Sequence, residues 1–518
     1  MAGSPSHRTC GHVDSHESVP DAPHLRVARM RTVVLLILGL SLLILGADIS
    51  RTLFTDEEPD EALTTLMQVP PQAITTAKAN GYLSLLGFAV DPSFDPAQTG
   101  HEMWLEVQSD PGQRFFDYNK EKRSELRVAG DEEATIQALK AWTEPDPIPQ
   151  FLKLRDPVIP PKAPLRVLVD RYSQWLTLAF EDWGFGHPAT PRFAEPFLAH
   201  RLYLAEGFSQ GMAKGVNRLV QDLSAWRTVF AKARTLPTKT AAACIIDDDV
   251  RLLSLLLGRY ELDNTVLGQL SVLAEPLDKA ERSFRWPIQN RFAIEVGRFQ
   301  KPFVQAVRVG QAESDQAKRW LAATAGLRAD VFNEVEHRLP ESPFAKAFIR
   351  KQKLLNTYAQ YYAALIKAAE NPNTPLPKLH DFAKASAGTL IEHVLHPISN
   401  VLTGTSGPAW EPLIVRFQET DARFRLAVLQ ARLRRPPLTE DVLARIAEAG
   451  EGLFDPFSGI PMLWSPTQRK LYSVGKDRLD DGGDGTLDIS VSVYTAPSRP
   501  SPPPAQRGTK GKKQVRPS

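Results

Sequence analysis

A mainly α-helical protein is the fold class this sequence predicts, on three observations. Apolar residues recur at three- and four-residue steps through most of the chain, as on one buried face of a helix. Period-two alternation, the mark of strands, is confined to the C-terminal part. Proline is abundant, 42 of 518 residues against a usual share of ~5%. Because proline ends helices, many helices separated by firm corners are expected rather than a few very long ones.

Composition bounds the function classes. Hydrophobic residues make up 42% and charged residues 24%, an ordinary globular balance. The net charge of +2 offers no global attraction to phosphate, so no nucleic-acid partner is expected. Two cysteines, Cys10 and Cys244, are too few for paired CxxC zinc modules or a disulfide scaffold.

Residues 1–29 read as a disordered cytoplasmic tail. They hold His7, Cys10, His12, His16 and His24, ligand types for soft metals whose spacing here fits no defined site. Residues 30–54 read as a transmembrane anchor. Its apolar centre, VVLLILGLSLLILGA from Val33 to Ala47, follows Arg26, Arg29 and Arg31 and precedes Asp48, Asp56, Glu57 and Glu58. The centre alone falls short of a ~30 Å hydrocarbon core at ~1.5 Å per residue, and Met30, Thr32, Ile49, Leu53 and Phe54 extend it. The arginine bias places the N-terminus in the cytoplasm and the bulk of the chain outside. A cleaved signal peptide is the alternative, although no small-x-small cleavage site follows Ala47; Met30 also offers an alternative start, since MRTVVLLILGL resembles a complete bacterial export signal.

Residues 55–79, acidic and proline-containing, read as a linker, and 80–143 as a small helical unit. The stretch EPDPIPQFLKLRDPVIPPKAP sets 144–164 as a second, proline-rich linker. The helical body is 165–410. It opens with Leu165, Leu168, Val169, Tyr172, Leu176, Ala179 and Trp183 on one face of a helix predicted to reach Trp183. Leu198, Leu202 and Ala205, then Met212, Val216, Leu219, Leu223 and Trp226, predict a helix pair with Gly207, Gly211 and Gly215 near its joint. That hairpin resembles a single tetratricopeptide unit, without the fixed period of a solenoid. Helical patterning continues through Val250–Tyr260, Ser314–Glu336, Phe344–Glu370 and Asp381–Leu395. Residues 411–494 read as one more helix plus a small β module: Leu413, Phe417, Phe424 and Val428 share a face, Pro436 and Pro437 stop it, and ISVSVY after Asp488 alternates as a short strand. Residues 495–518, basic and proline-rich, read as a disordered tail.

Three clusters carry candidate chemistry. In HDFAKASAGTLIEHVLHP, Ser386, Glu392, His393 and His396 offer a nucleophile, an acid and bases at helical spacing. Neither a GxSxG elbow nor HExxH accompanies them, so they stand as catalytic candidates on spacing alone. Asp247, Asp248 and Asp249 point about 100° apart on a helix and read as the acidic start of the Val250 helix, with Cys244 a small buried residue before it. The loop KDRLDDGGDGTLD holds Asp477, Asp480, Asp481, Asp484 and Asp488. Asp480, Asp484 and Gly485 match the first, fifth and sixth places of a calcium-loop pattern, but Gly482 takes the third and no glutamate closes it. Calcium is therefore the cofactor to expect, if any.

Two resemblances follow from these strings. NGYLSLLGF with DPAQTG, DLSAWRTVFAKARTL with the Leu252–Leu257 run, and DPFSGIPM with LYSVG, in that order, resemble a family of uncharacterised membrane-anchored envelope proteins of Gram-negative bacteria. The C-terminal order of helix, DP-aromatic turn, strand, LYSVG and aspartate-rich loop resembles the C-terminal module of type II secretion pseudopilins, whose version commonly binds calcium. The apolar segment Val33–Ala47 lacks the pseudopilin glutamate, so the likeness is confined to that module. Together they imply a single-pass inner-membrane protein whose bulk lies in the periplasm. Its expected role is that of a scaffold or interaction partner of an envelope or secretion system rather than an enzyme. The alternative is a periplasmic hydrolase using the His380–His396 cluster.

Overall fold

Burial of the periodic apolar stripes dictates the architecture. The computed structural model describes residues 33–46, 57–74, 76–109, 133–155, 157–161, 163–187, 189–300, 351–371, 374–386, 410–434 and 442–494. Besides a helical stretch at residues 33–46 and two short 3-10 turns, these form sixteen α-helices that we number α1 Glu61–Leu66, α2 Gly81–Leu86, α3 Pro96–Ser109, α4 Glu133–Ala141, α5 Ile148–Phe151, α6 Pro164–Trp175, α7 Ala194–Ser209, α8 Met212–Lys232, α9 Leu236–Arg259, α10 Asn264–Leu273, α11 Lys279–Arg282, α12 Arg285–Gln300, α13 Lys351–Ala369, α14 Leu379–Ser386, α15 Trp410–Leu433 and α16 Val442–Glu448. Three short strands follow: β1 Leu463–Ser465, β2 Lys470–Ser473 and β3 Ile489–Ser492. The fold is mainly α, as the periodicity predicts.

The helices begin where capping chemistry allows. Asp60, Asn80 and Asp263 accept from the backbone N–H groups of Leu63, Tyr82 and Val266, and Asp278 with Glu281 forms a full capping box. Thr235 caps α9, with Pro237 in its first turn, where the missing N–H costs nothing. Gly211, at φ 113°, makes the corner between α7 and α8 in a conformation that side chains disfavour. These two helices then cross so closely that a Cβ on Gly215 would lie 2.2 Å from the Phe208 ring. This is the helix pair read from Leu198 to Trp226, glycines included.

Helix α6 stops at Trp175, short of Trp183. Beyond it the chain turns through residues 176–178 and is then held at a single bridge: Gly81 donates its N–H to the Ala179 carbonyl at 2.7 Å, and the Trp175 indole donates to the Gly81 carbonyl at 3.0 Å. Arg171, on α6, donates to the carbonyls of Phe88, Val90, Asp91 and Phe94. The unit at 80–109 is thereby pinned to the body.

One continuous apolar core runs from Leu63 to Val493. It includes Ile148, Phe151, Val158 and Ile159, so the proline-rich stretch 144–164 is packed structure as well as a connection; proline ends helices without preventing the burial of its neighbours. Likewise α1, within 55–79, buries Leu63 and Leu66.

The C-terminal module is a three-stranded antiparallel meander in the order β1-β2-β3. It lies on α15 and α9: Gln430 donates to the Ser492 carbonyl at 2.6 Å and accepts from the Ser254 hydroxyl at 2.8 Å. Asp455 explains the DPFSG turn. Its buried carboxylate accepts from the Phe457 and Val474 N–H groups and from the Ser458 and Ser473 hydroxyls, tying the turn to the end of β2.

Residues 33–46 are helical, with apolar side chains outward; Leu43 is 72% exposed. No described helix is long and apolar enough to cross a membrane. Residues 30–32 and 47–54 of the expected anchor lie outside the described residues, as do 1–29, 495–518 and the predicted helix Ser314–Glu336.

Candidate functional site

Among the described residues, a deep concentration of ionisable groups lies where α6, α7, α8 and α9 meet. His200 comes from α7, Asp222 from α8 and Asp249 from α9, and all three are fully buried. The His200 ring Nδ1 lies 2.6 Å from Asp222 Oδ2. Tyr172, on α6, donates its hydroxyl to Asp222 Oδ1 at 2.5 Å and accepts from the Trp226 indole at 2.6 Å. Asp222 thus receives two neutral or charged donors, which is what a buried carboxylate requires.

Asp249 is different. Among the described residues neither of its oxygens receives a hydrogen bond, and His200 Nε2 is without one too. Burial, and then the facing charge of Asp222, hold the Asp249 carboxyl well above the usual carboxylate range. Burial, with Asp222 beside it, likewise raises the Tyr172 phenol. Among the described residues, His200, Asp222 and Asp249 are the group of three such side chains whose ligand atoms all lie within 4.8 Å of one another.

The run Asp247-Asp248-Asp249 corrects the sequence reading. It sits in the middle of α9, a 24-residue helix that starts at Leu236, and does not open a helix at Val250. Thr235 and Pro237 supply the true start. The 100° spacing between neighbours is what gives the run its meaning, because each carboxylate meets a different element. Asp247 pairs with Arg416 at 2.6 Å and Arg423 at 3.3 Å on α15. Asp248 pairs with Arg201 at 2.8 Å on α7. Asp249 turns inward to Asp222. Cys244 is half-buried, its thiol pushed up chiefly by burial.

The other candidate residues fall elsewhere. Ser386 ends α14, while Glu392, His393 and His396 lie outside the described residues. Asp477, Asp480, Asp481, Asp484 and Asp488 lie on the connection between β2 and β3. Asp477, Asp480 and Asp484 accept from the N–H groups of Leu479, Gly482 and Thr486 two residues on, closing local turns. Asp480 also accepts from the Tyr472 hydroxyl at 3.0 Å, and Asp488, buried, accepts from Gly483 N–H at 2.8 Å.

Neither His200 nor Asp222 stood out in the sequence, yet a signal was there. Asp222 falls three residues after Leu219 and four before Trp226, and Asp249 three after Ile246 and four before Leu253. A carboxylate on the apolar stripe of a helix must enter the core.

Comparison with family models, curated proteins and solved structures finds no match.

Proposed function

We propose that this chain is a membrane-tethered scaffold or interaction protein of the bacterial envelope, acting through its outer surface rather than by turning over a substrate. The observation that carries this reading is the burial of His200, Asp222 and Asp249 at 0% exposure. Among the described residues, the densest set of groups able to do acid–base chemistry is sealed among four helices, which supports a role in holding the body together rather than in turnover. A tether is supported by the row of outward apolar side chains on residues 33–46, a surface that lipid would cover, and by the arginines before it.

The test joins topology to activity. A reporter active only outside the cytoplasm, fused after Ser518, is expected to be active. The chain is expected to stay in the membrane fraction through an alkaline wash, and the purified protein in detergent to crosslink to a defined envelope partner. Release into the soluble fraction, or an esterase or peptidase activity lost on Ser386→Ala while the fold is retained, overturns the proposal.

A further inference from the structure

We propose that His200, Asp222 and Asp249 form a binding site for one divalent transition-metal ion, of the zinc-to-manganese class, that locks α7, α8 and α9 together. The argument starts from charge. Two ionised carboxylates and a neutral imidazole carry a net charge that one divalent cation cancels, leaving the buried centre neutral. Asp249 faces Asp222 within hydrogen-bonding reach and has no other donor on either oxygen among the described residues, an arrangement that costs several kcal/mol unless a cation or a shared proton neutralises it.

Geometry agrees. Tetrahedral ligation at ~2.1 Å sets ligand atoms about 3.4 Å apart. Here the three side chains already place one ligand atom each within 4.8 Å of the others, so side-chain adjustments of about an ångström would close the site. Three ligands from three facing helices is how bundle cores hold metals. Mixed imidazole and carboxylate ligation suits zinc, iron(II) or manganese better than calcium or copper(I).

The surroundings resemble the outer shell of such a site. Tyr172 and Trp226 form a relay of hydrogen bonds that orients Asp222 from the side of α6. Asp248 Oδ2 stands 3.9 Å from His200 Nε2 and is itself held by Arg201. The competing occupant of this centre is a proton on Asp249, and the experiment separates the two.

The purified full-length chain is stripped with a chelator and given zinc, manganese or cobalt(II). Expected are one tightly held ion per chain by elemental analysis and a visible cobalt band typical of four-coordinate nitrogen–oxygen ligation. At a hundredfold excess over Kd, Tm is expected to rise by about 2–3 °C. Asp249→Asn, which copies a protonated carboxyl in shape, is expected to remain folded and to lose all three responses; His200→Gln is expected to lose the cobalt band. The double variant Asp480→Ala, Asp484→Ala should keep them, since it alters only the C-terminal loop. If the wild-type chain binds no ion and its Tm ignores both chelator and metal, Asp249 carries a proton and the proposal fails. Responses that persist in Asp249→Asn, or vanish in the loop variant, overturn it equally.

Discussion

Replacing Lys239 with methionine should change the slope of stability against pH, and the structure sets the size of the change. Lys239 lies in the first turn of α9 and is 1% exposed. Its ammonium donates to the carbonyls of Phe230 and Glu281, both at 2.6 Å, and sits 3.8 Å from the centre of the Phe230 ring. Burial outweighs the nearby Glu281 and Asp278 charges and brings the group from 10.5 down to about 7. In the unfolded chain it keeps the ordinary lysine value, so between about pH 7 and 10.5 the unfolded state binds more protons than the folded one. Stability must therefore rise with pH across that window. Below it both states are protonated and the full cost of the buried charge is present.

Moving a lysine from 10.5 to about 7 is worth about 5 kcal/mol at ~1.4 kcal/mol per decade. Between pH 7.5 and 9.5 the wild type should thus gain about 2.5 kcal/mol over Lys239→Met, or about 2–3 °C in relative Tm for a chain of this size. Thermal unfolding followed by tryptophan fluorescence at matched pH values reads the difference, and other titrating groups cancel between the two proteins. The variant also strips donors from two carbonyls, so the sign at any single pH decides nothing; the slope does. Parallel curves for the two proteins would refute the reasoning.

Gly215→Ala should lower stability by about 2–3 kcal/mol, because the new methyl meets the fully buried Phe208 ring; adding Phe208→Leu should restore part of the loss, as melting of the double variant would report. Asp455→Ala removes the acceptor of the buried Val474 N–H and Ser473 hydroxyl, costing about 3 kcal/mol. Hydrogen exchange should then quicken around 471–475 while α7 and α8 stay protected. Arg171→Met leaves four carbonyls between Phe88 and Phe94 without their donor; limited proteolysis should first cut the chain between residues 87 and 95. Uncut loops there would count against the pinning role of Arg171.

The helices legible in the sequence were those with one clean apolar face bounded by strong stops. The α7–α8 pair, with Gly211 at its corner, and α15 before Pro436 are of that kind. Helix α9 was seen only in its second half, because three consecutive aspartates look like a start while their real partners lie on three other elements. The end of α6 was misplaced for a related reason: Leu176 and Trp183 continue a helical period, but the bond between Gly81 and Ala179 belongs to a segment nearly a hundred residues earlier. The same limit hid the candidate centre. His200, Asp222 and Asp249 acquire their meaning from a crossing of three helices, and a single helix period reports only that each enters the core.

The packing of β3 on α9 sets an order of events in the life of the chain. Helix α9 ends at Arg259, yet among the described residues part of its flank is covered by α15 and by Ile489–Ser492, more than two hundred residues further on. During synthesis that flank stays uncovered while more than two hundred further residues emerge, so the nascent chain presents a long-lived sticky surface that a holdase would have to shield. A chain cut short before β2 would keep the surface exposed permanently and should be cleared by proteolysis. Docking of β3 on α9 and α15 is thus the late step that closes this flank.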